Sequence, residues 1–439
     1  MHGGSALGRL QRSVDLKAAP FLVAVALAIA VVLVSNDQET LLAGVIVSAL
    51  VLFSLVLFWS VSRVAPEGRV LLGILWLSFA LKIGALVFRY YSGLLRDAWA
   101  YDARGRFIAG GLARGVWPEE FGRLGSDVVR VLTGFAYYTF GVTFNGVSVI
   151  WVWLGLLGML FFYLAFCSAF PRSDRRLYMV LVFLYPSMLL WTSSLGKDAL
   201  VIFAMGMAAY GAARLQRRVE VIGVWWLLAG LGGVLVIRPH VAAIFAVAFG
   251  ASMLVRPIRA GLLAPALRLL GVLAVAGLAA LTMRTASGYV GLEELGTQAV
   301  LQNIEERQEA ARGGSAFEQV DVSTPGGFAM AIPTILIRPF PWEAHNLGAM
   351  VASLEGMLLL GLIVWRRRSM VEALRAAWRD GYVLHVVVYV ALFIFFFSAI
   401  GNFGILARQR ASQLFPFLFM LVAYAGLPRE REPAGGRGR

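Results

Sequence analysis

Apolar runs close to twenty residues long return again and again along this chain, and that recurrence constrains its fold more than any other feature. At 1.5 Å of rise per residue, such a run matches the hydrocarbon thickness of a bilayer. Reading for these runs places twelve membrane helices, near 20–35, 41–61, 70–90, 145–169, 177–192, 199–213, 220–237, 239–255, 261–283, 346–365, 382–400 and 412–427. The expected fold class is an all-α polytopic membrane protein of about 12 transmembrane helices, with amphipathic helices at the external interface. Composition supports this. Hydrophobic residues make up 59% of the 439 and charged ones 15%, where a soluble chain carries about 25% charged. Twelve Trp, 13 Tyr and 29 Phe exceed what soluble cores of this size would hide. Disorder, a disulfide scaffold and a soluble Rossmann or barrel enzyme are excluded, and the single cysteine, Cys167, rules out an internal disulfide or a cysteine metal cluster.

The net charge of +14 would point to nucleic acid in a soluble protein, but in a membrane protein the placement of charge decides. With a cytoplasmic N-terminus, the inside segments collect Arg9, Arg12 and Lys17, then Arg63 and Arg69, Arg172, Arg175 and Arg176, then Arg214, Arg217 and Arg218. Arg256 and Arg259, the run Arg366–Arg368 with Arg375 and Arg379, and the arginines of the tail complete the set. The external segments are close to charge balance, so the basic excess reports topology and no nucleic-acid partner is implied. The chain then divides into a cytoplasmic tail at 1–19, a transmembrane domain at 20–427 and a cytoplasmic tail at 428–439. Residues 1–20 show no cleavable signal peptide. Arginine outnumbers lysine heavily, Lys17, Lys82 and Lys197 being the three lysines, a usage that fits a GC-rich bacterial genome and hence a bacterial plasma membrane. The pair 177–192 and 199–213 is short, roughly 22–24 Å per helix. Its tip, Ser193 to Asp198, is therefore expected below the outer surface in a wet, protein-lined cavity, where irregular backbone is tolerated.

The two long connections, about 91–144 and 284–345, both fall outside. The first carries Asp97, Trp99, Tyr101 and Asp102, then Trp117, Glu119 and Glu120, with Phe107, Ile108, Leu112, Val128, Val129, Val131 and Leu132 marking amphipathic helices. The second ends in an apolar stretch, Phe328–Ile337, followed by Arg338, Trp342 and Glu343. A short surface helix is expected at 369–381. Positive-inside bias should deplete cations from external helix ends, yet Lys197, Arg238 and His240, Arg408 and Arg410 sit there. Cations at several helix mouths beside carboxylates suit an anionic ligand such as a phosphate, with the start of the helix after Lys197 adding its dipole. Blander roles compete: lipid headgroup contacts for any one arginine, helix capping for Asp97 and Asp102, interface packing for His240. Lys82 and Glu355 read as a buried structural pair. No P-loop, HExxH, Gly-x-Ser-x-Gly or Cys/His metal spacing is present.

Asp97-Ala-Trp-Ala-Tyr101-Asp102 near the end of a span, followed by amphipathic external helices, resembles the first-loop acidic motif of the GT-C superfamily of membrane glycosyltransferases. Ala407-Arg408-Gln409-Arg410-Ala411-Ser412-Gln413-Leu414-Phe415-Pro416-Phe417 also resembles the last helix of those enzymes and of bacterial exopolysaccharide or O-antigen polymerases. With Pro186-Ser187, Gly196-Lys197-Asp198 and Arg338-Pro339-Phe340-Pro341-Trp342-Glu343, the resemblance covers roughly 70–427. It departs in one respect: the acid follows the third span here, where the superfamily has it after the first.

The resemblance implies a GT-C-like fold and transfer of a sugar from a polyprenyl-phosphate donor to a cell-envelope glycan or glycolipid acceptor on the periplasmic or exterior face. Asp97, with Asp102 as second choice, would be the general base on the acceptor hydroxyl. Lys197, Arg238, His240, Arg338, Arg408 and Arg410 would bind the donor phosphate and stabilise it as it leaves. Trp99, Tyr101, Glu119, Trp342 and Glu343 would contact sugar or acceptor. No cofactor is required, and a divalent metal is left open. The alternatives are a polymerase or ligase of lipid-linked oligosaccharides, in which cations lead, and a lipid or polysaccharide transporter.

Overall fold

The computed structural model describes residues 37–218, 220–255, 277, 324–344, 347–398 and 402–425. Both tails, the expected spans at 20–35 and 261–283, most of the connection 284–345 and His345 lie outside the described residues. The described elements are all helical: α1 (Gln38–Val64), α2 (Gly68–Tyr91), α3 (Arg96–Leu112), α4 (Ser126–Phe140), α5 (Phe144–Ala169), α6 (Arg175–Leu184), α7 (Pro186–Trp191) and α8 (Lys197–Arg217). There follow α9 (Val221–Ile237), α10 (Pro239–Val255), α11 (Pro325–Ile337), α12 (Leu347–Trp365), α13 (Arg367–Ala376), α14 (Gly381–Phe397), α15 (Phe403–Gln409) and α16 (Phe415–Val422). Helices satisfy every backbone donor and acceptor within the segment, as a bilayer demands. Four of them, α1, α2, α5 and α8, are long and apolar enough to cross a membrane. The chain forms two compact units. The first comprises Met1–Leu160, Phe183–Gly206 and Gly232–Pro239; the second comprises Phe161–Val182, Met207–Leu231 and His240–Arg439.

In the first unit, Asp37 starts α1 by accepting the Thr40 N–H at 3.3 Å. Helices α3 and α4 form a hairpin so close that a Cβ on Gly105 would collide with Thr133, and one on Gly134 with Ile108. The apolar positions of this hairpin split between two faces. Ile108, Val129 and Val131 are buried in it, while Phe107 and Leu132 stay exposed with Trp117, Phe121 and Tyr138. Helices α5 and α8 meet backbone to backbone at Gly158 and Gly206, the small-residue contact by which membrane helices approach.

Three sequence expectations change here. The stretch expected as one span at 177–192 is broken: Tyr185 is extended (ψ 129°) and Pro186 begins the separate, six-residue α7. A residue before proline is pushed out of the α region, and proline supplies no N–H to continue the ladder. The helix expected at 199–213 runs over 21 residues, about 32 Å and long enough to span. Counting apolar residues trimmed its two polar ends, Lys197-Asp198 and Arg214–Arg217. Lys82, expected to pair with Glu355, instead donates to the Thr192 carbonyl at 3.0 Å and to its hydroxyl.

In the second unit, α12 ends at Trp365 and the chain bends by 67° into α13. The surface helix thus begins two residues before its expected start and stops earlier, at Ala376. Arg366 at the bend donates to the Val422 carbonyl at 3.0 Å. Asp380 caps α14 through the Tyr382 and Val383 N–H groups. The last expected span starts earlier than 412: α15 passes through a π-helical turn at Arg410–Leu414 into α16. Pro416 cannot donate to a carbonyl four residues back, and the widened turn absorbs that gap. His385 of α14 is fully buried among Phe245, Phe249, Tyr382, Tyr389 and Phe417.

Candidate functional site

Three elements of the first unit bring polar groups to the N-terminal end of α8. Asp97 lies in the first turn of α3 and is exposed, whereas Tyr101, one turn on, is 8% exposed. Tyr101 hydrogen-bonds the Ser126 side chain at the start of α4, and burial pushes its hydroxyl pKa up, aided by the fields of Asp97 and Asp198. The loop before α4 is tied to α9 by the Gly125 N–H, which donates to the Val236 carbonyl at 2.8 Å. Arg238, following α9, pairs with Asp198 at 2.8 Å with both side chains largely buried.

Lys197 opens α8 beside this pair. It is half-buried, lies in the electrostatic reach of Arg238, Asp198, Asp97 and Arg130, and makes no ion pair among the described residues. An ammonium in the first turn of a helix opposes the helix dipole, and Asp198 is engaged by Arg238. Arg130 is itself paired with Asp127 at 2.6 Å. An anion would suit this arrangement, since a phosphate could accept from Lys197 at the N-terminal end of α8.

Beside this cluster, α2 supplies two buried basic side chains: Lys82, expected from the sequence to pair with Glu355, and Arg89, to which sequence reasoning gave no role. Lys82 holds Thr192, and Arg89 donates to the carbonyls of Leu190, Trp191 and Leu94 and to the Ser194 hydroxyl. The Leu190, Trp191 and Thr192 carbonyls are those that the end of α7 leaves without helical partners, so α2 fixes the turn from which Lys197 emerges. The sequence signal was present in outline, as two cations on one helix with an intervening apolar stretch, but the receiving carbonyls only exist because α7 is short.

Asp97 and Asp102, about 140° apart on a helix, lie in different surroundings. Asp102 is 7% exposed, takes both oxygens to Arg106 at 3.0–3.1 Å and accepts from the Tyr137 hydroxyl. Arg106 continues to Glu39 of α1 at 2.7 Å, and burial with the Asp102 charge pushes the Tyr137 hydroxyl pKa up. This is a structural network, and Asp102 is spent in it. Glu120 is likewise committed to Arg104, which holds its carboxyl below the usual carboxylate range, while Glu119 is exposed.

The other expected residues belong to the second unit, apart from Trp99. Arg338 donates to Glu343 through Nε to both carboxylate oxygens and through Nη2 to Oε1, and Glu343 also accepts the Phe340 N–H at 2.8 Å. Arg410 is buried and donates to the carbonyls of Ile335, Leu336 and Arg338 at 2.8–3.2 Å, closing the end of α11. Arg408, two residues before it, is half-buried, and His240 packs its ring near Phe397. Trp342 is 75% exposed and stacks on Phe340; Trp99, in the first unit, stacks on Phe144 at 4.3 Å. No group of three or more His, Cys, Asp or Glu among the described residues could hold a metal ion.

The geometry defines an all-helical chain suited to a membrane, with a polar cluster at the mouth of one long helix. Comparison with protein-family models, with curated proteins and with solved structures finds no match.

Proposed function

We propose that this chain is an integral membrane glycosyltransferase, GT-C-like in fold, that moves a sugar from a polyprenyl-phosphate donor to a glycan or glycolipid acceptor of the cell envelope. The observation that carries the reading is Lys197: a half-buried ammonium that makes no ion pair among the described residues, at a helix start, beside the Arg238–Asp198 pair and close to the exposed carboxylate of Asp97. In this reading Lys197 and Arg238 take the donor phosphate, and Asp97 removes the proton from the acceptor hydroxyl as it attacks the anomeric carbon. The departing phosphate gathers negative charge where the cations already stand, so the donor needs no further activation. Twelve spans, cytoplasmic termini and a site open to the exterior of a bacterial plasma membrane complete the proposal.

Polymerisation or ligation of lipid-linked oligosaccharides is the second reading, in which cations would lead and Asp97 would matter less. The deciding experiment assays the purified protein with a polyprenyl-phosphate-linked sugar. Lys197→Ala should abolish donor binding while melting at the wild-type temperature, and unchanged donor affinity would remove the reading. Product length separates a single addition from polymerisation.

A further inference from the structure

Helix α13, in the second unit, presents a surface that nothing above explains. It leaves the end of the apolar α12 at 67°, and Arg366 fixes the bend by donating to the Val422 carbonyl and standing 3.9 Å from Asp174. One side of α13 is small and buried: Ala373 is 0% and Ala377 4% exposed. Away from that side, Val371 and Leu374 of α13 and Trp378 in the turn that follows it are exposed at 44%, 51% and 78%. They stand at i, i+3 and i+7, the spacing of one helix face. Trp365 at the bend is 65% exposed as well. Arg368, Arg375 and Arg379 line one edge of this apolar strip and Arg367 opens its N-terminal end, all exposed, with Glu372 as an exposed carboxylate beyond that edge.

An apolar strip with a basic border, on a helix turned sharply from a membrane-length apolar helix, fits one kind of occupant. We propose that α13 is a docking surface for anionic phospholipid: Val371, Leu374 and Trp378 enter the headgroup–acyl boundary, and the four arginines bind lipid phosphates along its edge. The apolar side chains supply burial, and the guanidinium forks supply selectivity for negative headgroups. The docked helix would hold α12 at a fixed depth in the bilayer. This inference stands apart from the glycosyltransferase reading and survives its failure.

The test uses the full chain carrying Cys167→Ser and Leu374→Cys, labelled with a small environment-sensitive fluorophore. The labelled protein is placed in nanodiscs of brominated phosphatidylcholine, with and without phosphatidylglycerol. Quenching of the label should be strong with phosphatidylglycerol, weak without it, and reduced by added salt. Replacing the arginines stepwise (R367Q, R368Q, R375Q, R379Q) should lower phosphatidylglycerol enrichment about fivefold per residue. The stepwise series keeps the test decisive if the fourfold variant does not fold. Three results overturn the proposal: a label left in water in both bilayers, equal quenching without anionic lipid, or shielding that appears only when a second copy of the chain is present.

Discussion

Two aspartates five residues apart on α3 have opposite circumstances, and that contrast is the sharpest handle on the proposed chemistry. Asp97 is exposed near Lys197, whereas Asp102 is buried between Arg106 and Tyr137. If Asp97 is the base, Asp97→Asn should cut turnover by at least about 10²-fold with donor binding retained. Asp102→Asn should act through stability, lowering the melting temperature by roughly the 1–3 kcal/mol of a disrupted buried network, with a smaller loss of activity per folded molecule. Near-normal sugar transfer by Asp97→Asn would shift the balance towards the polymerase reading. A second residue-scale prediction concerns pH. Arg104 depresses the Glu120 carboxyl, so the folded state binds this proton less tightly than the unfolded one. The stabilisation is therefore present above the ordinary carboxylate value, about 4.3, and is lost as pH falls through the lower, folded value. Glu120→Gln should melt lower than wild type at neutral pH by about 1 kcal/mol or less, and the gap should close in acid.

At the scale of elements, the glycines of α8 and α9 separate close approach from simple helix propensity. A Cβ on Gly206 would strike the Gly158 carbonyl of α5, while one on Gly232 would meet nothing within 4 Å. Alanine should therefore act in opposite directions at the two sites. Gly206→Ala should destabilise by about 1–3 kcal/mol, and Gly232→Ala should stabilise by up to about 1 kcal/mol, both read from thermal melts in one detergent. Equal effects at the two positions would remove the α5–α8 contact from the argument. The same elements show what the chain reveals unaided. Helices α1, α2, α5, α9, α10, α12 and α14 were legible within a few residues because each is an uninterrupted apolar run. The ends of α8 were not legible, because a helix continues into polar residues that hydropathy discards. The break at Tyr185 could have been read from Pro186. The π-helical turn and the partners of Lys82 and Arg89 depend on carbonyls exposed by those interruptions, so the cations were visible in the sequence and their roles were not. Lys197 and Arg238 stood out because the sequence places them at helix ends expected to be external, where cations are rare, but the Arg238–Asp198 pair needs the helices folded together.

At the scale of the whole molecule, the proposal of twelve spans turns on the path from Arg175 to Arg217. Ten residues of α6 and six of α7 amount to roughly 24 Å of helix, and together they are interrupted at Tyr185. The 21 residues of α8 suffice to cross alone. Both ends of the path are basic, with Arg175 and Arg176 before it and Arg214 and Arg217 in the last turns of α8. Positive-inside bias therefore places them on the same side, which requires the broken α6–α7 pair to carry the chain across before α8 returns. If it does, the turn at Thr192–Gly196 lies towards the outside, and Lys197 faces the compartment where a lipid-linked donor would be presented. If α6–α7 only dips in and out, α8 ends on the opposite face, and every later segment inverts. Reporter fusions after Arg218 and after Arg379 should both read cytoplasmic, and a fusion at Gly313, outside the described residues, should read external. A periplasmic signal at Arg218 would break the hairpin and the twelve-span count with it. It would also turn the outer mouth of α8 inward and leave the donor-phosphate assignment of Lys197 on the wrong side of the membrane.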